Sequence, residues 1–315
     1  MATPSRSDTA GALDGTDVLL PYSLLVLSML MWSGNWILAR AVHETVAPSA
    51  LAFWRWFLTA LVLLPFAGRG ALRNWSVIVS QWRILILMAL TGAALSHWLV
   101  YTGLRHTTAI NALLINATMP AWVILLSWIG IRETVTLRQI AGLVLSFAGV
   151  VVIVTRGDPS MLSELRFNIG DLVIFGAMIP MAAYPILLRW SPKALNGIEA
   201  LFVMAALSAL LLVPVFVYDM FFGIQTTYSA SAMGSIVYIV VVASVGAFYC
   251  FNRGVAAVGA NKAGFFTNLL PVFGSVMAIL FLGESVHAYH GVGIAMIFVG
   301  VFLSTVGIRK RQPAG

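Results

Sequence analysis

The chain has 315 residues, of which 60% are apolar and only 9% charged, with a formal net charge of +7. Soluble domains run near a quarter charged, so there are too few charges here to cover a water-facing surface, and a soluble enzyme or scaffold is excluded. A nucleic-acid surface is excluded too, because the lysines and arginines stand singly or in twos and threes between apolar runs instead of gathering in one patch.

Residues 1–18 are polar, acidic and small and read as a disordered cytoplasmic tail. Roughly 20 apolar residues are needed to cross about 30 Å of hydrocarbon as a helix. Ten such runs follow, at 19–40, 47–66, 82–104, 108–130, 138–155, 170–190, 196–217, 232–253, 261–282 and 287–308, each bounded by charged, Gly or Pro positions. None alternates polar and apolar residues as a barrel strand would. The first run is too long for a signal-peptide core and reads as a retained helix, although Ala39-Arg40-Ala41 resembles a cleavage site. A basic cytoplasmic tail, 309–315, closes the chain. The single cysteine, Cys250, permits no internal disulfide.

Positive residues set orientation. The two tails and the loops after helices 2, 4, 6 and 8 hold 13 of the 18 lysines and arginines, and the opposite side holds 4. Both termini are therefore expected in the cytoplasm. The chain also matches itself. At an offset of 151, Pro120 meets Pro271, Glu133 meets Glu284, Gly142 meets Gly293 and Gly149 meets Gly300; at an offset of 149, Arg40 meets Arg189 and Pro65 meets Pro214. The expected fold is an all-α membrane protein of ten transmembrane helices, built from two five-helix repeats at 19–155 and 170–308. Five is odd, so the second copy is expected to insert upside-down relative to the first, an inverted repeat of the kind that serves alternating access in transporters.

The carrying stretches are Met31-Trp32-Ser33-Gly34-Asn35-Trp36, Phe53-Trp54-Arg55-Trp56-Phe57, Ala112 to Pro120, and Gly130-Ile131-Arg132-Glu133 leading to Gly142, with second copies at Ala263 to Pro271 and Leu282-Gly283-Glu284 leading to Gly293. On them the chain resembles the EamA type of the drug/metabolite transporter superfamily, over nearly all of 19–308. The resemblance implies an inner-membrane exporter of small metabolites, and the aromatic content is most similar to YddG-type aromatic amino-acid exporters.

The eleven acidic residues all fall in tails, loops or helix ends. A midplane carboxylate is what a cationic-drug/proton exporter would need, so a neutral or zwitterionic substrate is expected. Candidate substrate-binding residues are Trp32, Asn35, His97, Tyr101, Asn116, Tyr184, Tyr249 and Asn268: aromatics for an apolar body, amides and an imidazole for polar ends. Asn111 is a further buried amide, for which interhelical bonding is the simpler role. Arg55 lies inside helix 2, either to meet a substrate carboxylate or to bond backbone carbonyls nearby. Pro120 and Pro271 occupy equivalent mid-helix positions and read as paired hinges or static kinks. His287 and His290 form no metal site without further ligands. No cofactor is expected. The expected partners are a small-molecule substrate and the bilayer, with monomer and homodimer both open. Exporters of nucleotide-sugar or multidrug type, a channel, and an intramembrane enzyme using Ser96 beside His97 are the alternative classes.

Overall fold

The computed structural model describes residues 15–163, 168–282, 285 and 287–305. The expected tails up to residue 14 and from 309 onward, and Arg166 and Glu284, lie outside the described residues. Every long element is helical, and no strand occurs among the described residues. Among the described residues, nine helices are long and apolar enough to cross a membrane: Leu19–Ala41, Pro48–Arg73, Trp82–His106, Asn111–Ile131, Leu137–Val154, Ile169–Trp190, Gly197–Phe222, Ala230–Val258 and Ala288–Thr305. They are numbered helices 1–8 and 10 in chain order. Helix 9 is the stretch of three consecutive helical pieces, Ala260–Phe265, Phe266–Leu269 and Leu270–Leu282, which is not among the nine.

Several ends differ from expectation. Helix 1 begins at Gly15, inside the expected tail, and helices 2 and 7 run on to Arg73 and Phe222. Hydropathy marks only the part of a helix inside hydrocarbon, whereas backbone hydrogen bonding continues into the polar zone. A short helix, Trp75–Ser80, links helices 2 and 3 and was not expected; at six residues it is too short for a helical period to show in the sequence.

Two irregularities recur. Helix 4 breaks after Asn116 and restarts at Met119, and helix 9 breaks through a 3-10 turn and restarts at Leu270, 151 residues later. Pro120 and Pro271 therefore stand in the first turn of a new helical segment. Proline is tolerated there because its missing N–H would have no intrahelical acceptor. Pro120 lies midway along the span Asn111–Ile131 and Pro271 at the matching interruption of helix 9, so each marks the place where its helix is broken. Helices 3 and 8 each widen into a π-helical segment, Leu90–Ala94 and Ile239–Gly246.

Packing joins helices 2 and 5 to their counterparts from the other half, helices 7 and 10. Helix 2 lies antiparallel on helix 7: Gly70 abuts Glu199, and Ser49 Oγ donates to Asp219 at the far end. Helix 5 lies antiparallel on helix 10 through Gly142 against Gly300 and Gly149 against Gly293. Small residues there let the two backbones touch. Helix 1 packs on helices 8 and 9, and helix 6 packs on helices 3 and 4.

Helix 5 opens with a capping box: Thr136 accepts from the Gln139 N–H, and Gln139 Oε1 accepts from the Thr136 N–H at 2.9 Å. At the start of helix 10, His290 Nδ1 accepts from the His287 N–H at 3.1 Å, the same return bond. The His287/His290 pair is thus a helix cap. His290→Ala is expected to cost about 1 kcal/mol and lower the melting midpoint in detergent by about 1–2 °C. His290→Gln should restore it, as followed by circular dichroism.

Candidate functional site

A narrow cavity of about 40 Å³ lies among helices 1, 8 and 9 on one side and helices 3, 4 and 6 on the other. Trp32, Asn35 and Trp36 come from helix 1, Phe248 and Phe251 from helix 8, and Thr267 and Leu270 from helix 9. Opposite stand Gly92, His97 and Val100 from helix 3, Asn116 and Met119 from helix 4, and Met181 and Tyr184 from helix 6. Among the described residues no carboxylate lines it.

Phe248 is the centre of the aromatic wall. Its ring meets Trp32 and Trp56 at 5.2 Å, Tyr184 at 5.8 Å and His97 at 6.0 Å. Such edge and tilted contacts hold rings in fixed orientations. The backbone of Gly92 sits against the Tyr184 ring; a side chain there would strike it.

Arg55 is completely buried behind this wall. Its Nε donates to Ser244 Oγ at 2.8 Å, and its Nη1 donates to Tyr101 Oη at 2.8 Å and to Asn35 Oδ1 at 3.1 Å. Nη2 reaches the Ala243 carbonyl at 3.4 Å. That carbonyl lies in the π segment of helix 8 and also accepts from Trp32 Nε1 at 2.9 Å. π segments release carbonyls in this way, and they concentrate at functional sites. Trp56 and Phe248 present their rings to the guanidinium at 5.1 and 5.9 Å. Every partner is neutral, and among the described residues no carboxylate pairs with Arg55. An ion buried without a counter-charge is costly; here four hydrogen bonds and two ring faces offset that cost.

The other predicted residues fall into two groups. Trp32, Asn35, His97, Asn116 and Tyr184 line the cavity together. His97 Nδ1 bonds the Ala93 carbonyl at 2.9 Å and so carries the proton, which leaves Nε2 as the ring atom without an internal partner. Ser96 Oγ is 3.5 Å from that same committed nitrogen, an arrangement in which His97 cannot take the serine proton. Both side-chain polar atoms of Asn116 are buried without a partner. Such a group points to an absent ligand atom or water.

Tyr101, Asn268 and Tyr249 do not line the cavity. Tyr101 stands one layer back, on Arg55 and Asn35. Asn268 Nδ2 donates to Ser146 Oγ at 2.8 Å and ties helix 9 to helix 5. Tyr249 Oη accepts from Arg253 Nη1 at 2.9 Å, one turn along helix 8 and away from the cavity. Asn111 Nδ2 donates to Asp171 at 3.0 Å, beside Thr107 Oγ1, so it clamps the helix 3–4 elbow onto the first turn of helix 6.

Sequence comparison agrees with this architecture. Residues 19–155 and 168–306 each match the EamA-like transporter family, and the chain belongs to that family. Similar proteins include an uncharacterized transporter of Archaeoglobus fulgidus, 27% identical and aligned over 90% of this chain and 96% of that one. The uncharacterized transporter YyaM of Bacillus subtilis is 24% identical over 91% of this chain and 94% of its own length. A solved crystal structure shares the fold with a TM-score of 0.73 at 17% identity, covering 90% of this chain and 96% of that one. The chain is a multi-pass membrane transporter.

Proposed function

We propose that the chain exports amino acids, aromatic and other neutral ones, or similar small metabolites across the cell inner membrane, by alternating access between two inverted five-helix repeats. In this reading helix 9 is a tenth span and both termini are cytoplasmic. The antiparallel pairing of helix 2 with 7 and of helix 5 with 10 supports the inversion, because each pair joins equivalent members of the two copies.

One observation carries the substrate class. The cavity couples apolar rings to amides, with an uncompensated guanidinium one layer behind Asn35 and no carboxylate on its walls. That field favours a ligand with a carboxylate end and disfavours a net cation. Rings and Met side chains suit an apolar body.

The test is counterflow in proteoliposomes preloaded with unlabelled substrate. Labelled phenylalanine, tryptophan or leucine should accumulate well above protein-free vesicles, and lipophilic cations should not compete. Flux equal to protein-free vesicles for every amino acid, or competition by the cations, would remove the substrate assignment.

A further inference from the structure

Tyr101 Oη donates to Asn35 Oδ1 at 3.2 Å, and Tyr184 Oη donates to Asn252 Oδ1 at 2.9 Å. These are one contact made twice with its partners exchanged. Asn35 and Tyr184 are equivalent at the offset of 149, and Tyr101 and Asn252 at the offset of 151. Each bond joins the two sides between which the cavity lies, helices 1 and 8 on one and helices 3 and 6 on the other.

The two bonds lie at opposite ends. Asn35 and Tyr101 come near the C-terminal ends of helices 1 and 3, and Tyr184 and Asn252 near those of helices 6 and 8. Gly103, at the end of helix 3, abuts Gly170 at the start of helix 6, and Gly254, at the end of helix 8, abuts Leu25 and Pro21 near the start of helix 1. Each helix pair is therefore antiparallel, and the two Tyr–Asn bonds face opposite membrane surfaces.

They are not equally reinforced. Arg55 bonds both Asn35 and Tyr101, and Arg40 Nη1 adds a further crossing bond from helix 1 to the Leu104 carbonyl on helix 3. On the other side, Tyr184–Asn252 stands alone. Arg189, the equivalent of Arg40, is exposed and makes no hydrogen bond or ion pair among the described residues. Asn252 is partly exposed, whereas Asn35 and Tyr101 are buried.

We infer that Tyr101–Asn35 and Tyr184–Asn252 are the two gates of the cavity, one toward each surface, and that the Tyr184–Asn252 gate, the less reinforced of the two, is the one that opens first. This rests on the transporter reading above, in which the loops after helices 6 and 8 are cytoplasmic. Both bonds are made in the structure; the weaker one faces the cytoplasm, the side from which an exporter loads.

The test uses the full chain with Cys250→Ala and one reporter cysteine in the cavity, Met181→Cys, labelled by a membrane-impermeant maleimide in right-side-out and inverted vesicles. Labelling should be faster from the surface carrying the helix 6–7 and 8–9 loops. Tyr184→Phe and Asn252→Ala should each raise that rate about fivefold, the weight of one ordinary hydrogen bond, and the double variant should add nothing further. Tyr101→Phe should shift labelling toward the opposite surface. A parent protein labelled equally or faster from the opposite surface, or gate variants that move labelling in the same direction, would overturn the inference. Leu270→Cys is the second reporter if Met181→Cys does not fold. Labelling needs no substrate, so absent counterflow with the stated labelling removes the substrate assignment alone, and the reverse removes the gates alone.

Discussion

Arg55→Met is expected to leave a folded protein whose flux for carboxylate-bearing substrates falls by roughly 30–100-fold. A carboxylate held at Asn35 would sit about 6–8 Å from the guanidinium, where unit charges attract by about 2–3 kcal/mol at an effective dielectric near 20. Methionine is apolar, flexible and close in length, and replacing a buried ion with such a side chain is often neutral for stability. It does strand Asn35 Oδ1 and Ser244 Oγ, but Asn35 keeps the Tyr101 hydroxyl, and Ser244 keeps its bond to the Ile239 carbonyl at 2.9 Å. Counterflow with a carboxylate substrate and with its amide derivative separates the two roles. A purely structural Arg55 would slow both equally; a field-setting Arg55 slows the carboxylate much more. Arg55→Lys should fall between, because ammonium keeps the charge and loses the fork that reaches helices 1, 3 and 8 at once.

Gly300→Leu should have the largest effect on stability. A Cβ there would lie 2.6 Å from the Gly142 carbonyl oxygen and 2.7 Å from the Ser146 nitrogen. Both are backbone atoms, which cannot rotate away, so helices 5 and 10 would have to separate along their length. The expected cost is about 3 kcal/mol, the upper range for overpacking, seen as loss of monodisperse protein on size exclusion and a lower melting midpoint. Gly291, on the same helix 10, has nothing within 4 Å of its would-be Cβ. Gly291→Ala should therefore be neutral or stabilising by up to about 1 kcal/mol. If both substitutions behaved alike, close approach of the two helices would not matter.

How far the chain could be read in advance depends on the range of the signal. Apolar runs are local, so the helices from 19 to 305 were legible nearly to their ends. The breaks after Asn116 and Phe265 were half legible: Pro120 and Pro271 marked the places, but a proline that bends a helix and one that starts a helix look alike in sequence. The π segments carry no such mark, since Leu90–Ala94 and Ile239–Gly246 read as ordinary apolar helix. Arg55 was visible as a cation in a span, yet its partners lie 20, 46 and 189 residues away, which no periodicity discloses. Tyr249 looked as good a liner as Tyr184 because both are aromatics deep in helices; only packing turns one toward the cavity and the other toward Arg253. The exchanged Tyr–Asn pairs were hidden for a subtler reason. A self-comparison scores identity, and here the two copies keep the bond by trading its ends, so each position registers as a mismatch.

The meeting of helix 2 with helix 7 and of helix 5 with helix 10 has an assembly consequence. Each half's interface is complementary to its own image. Two free-standing polypeptides, divided between Gly157 and Asn168, already possess the surfaces needed to find one another in a bilayer. Co-expressed fragments should reconstitute the whole, and the covalent link then contributes stoichiometry and pairing fidelity, freeing each copy to drift into its own chemistry, arginine on one side and solitary tyrosine on the other.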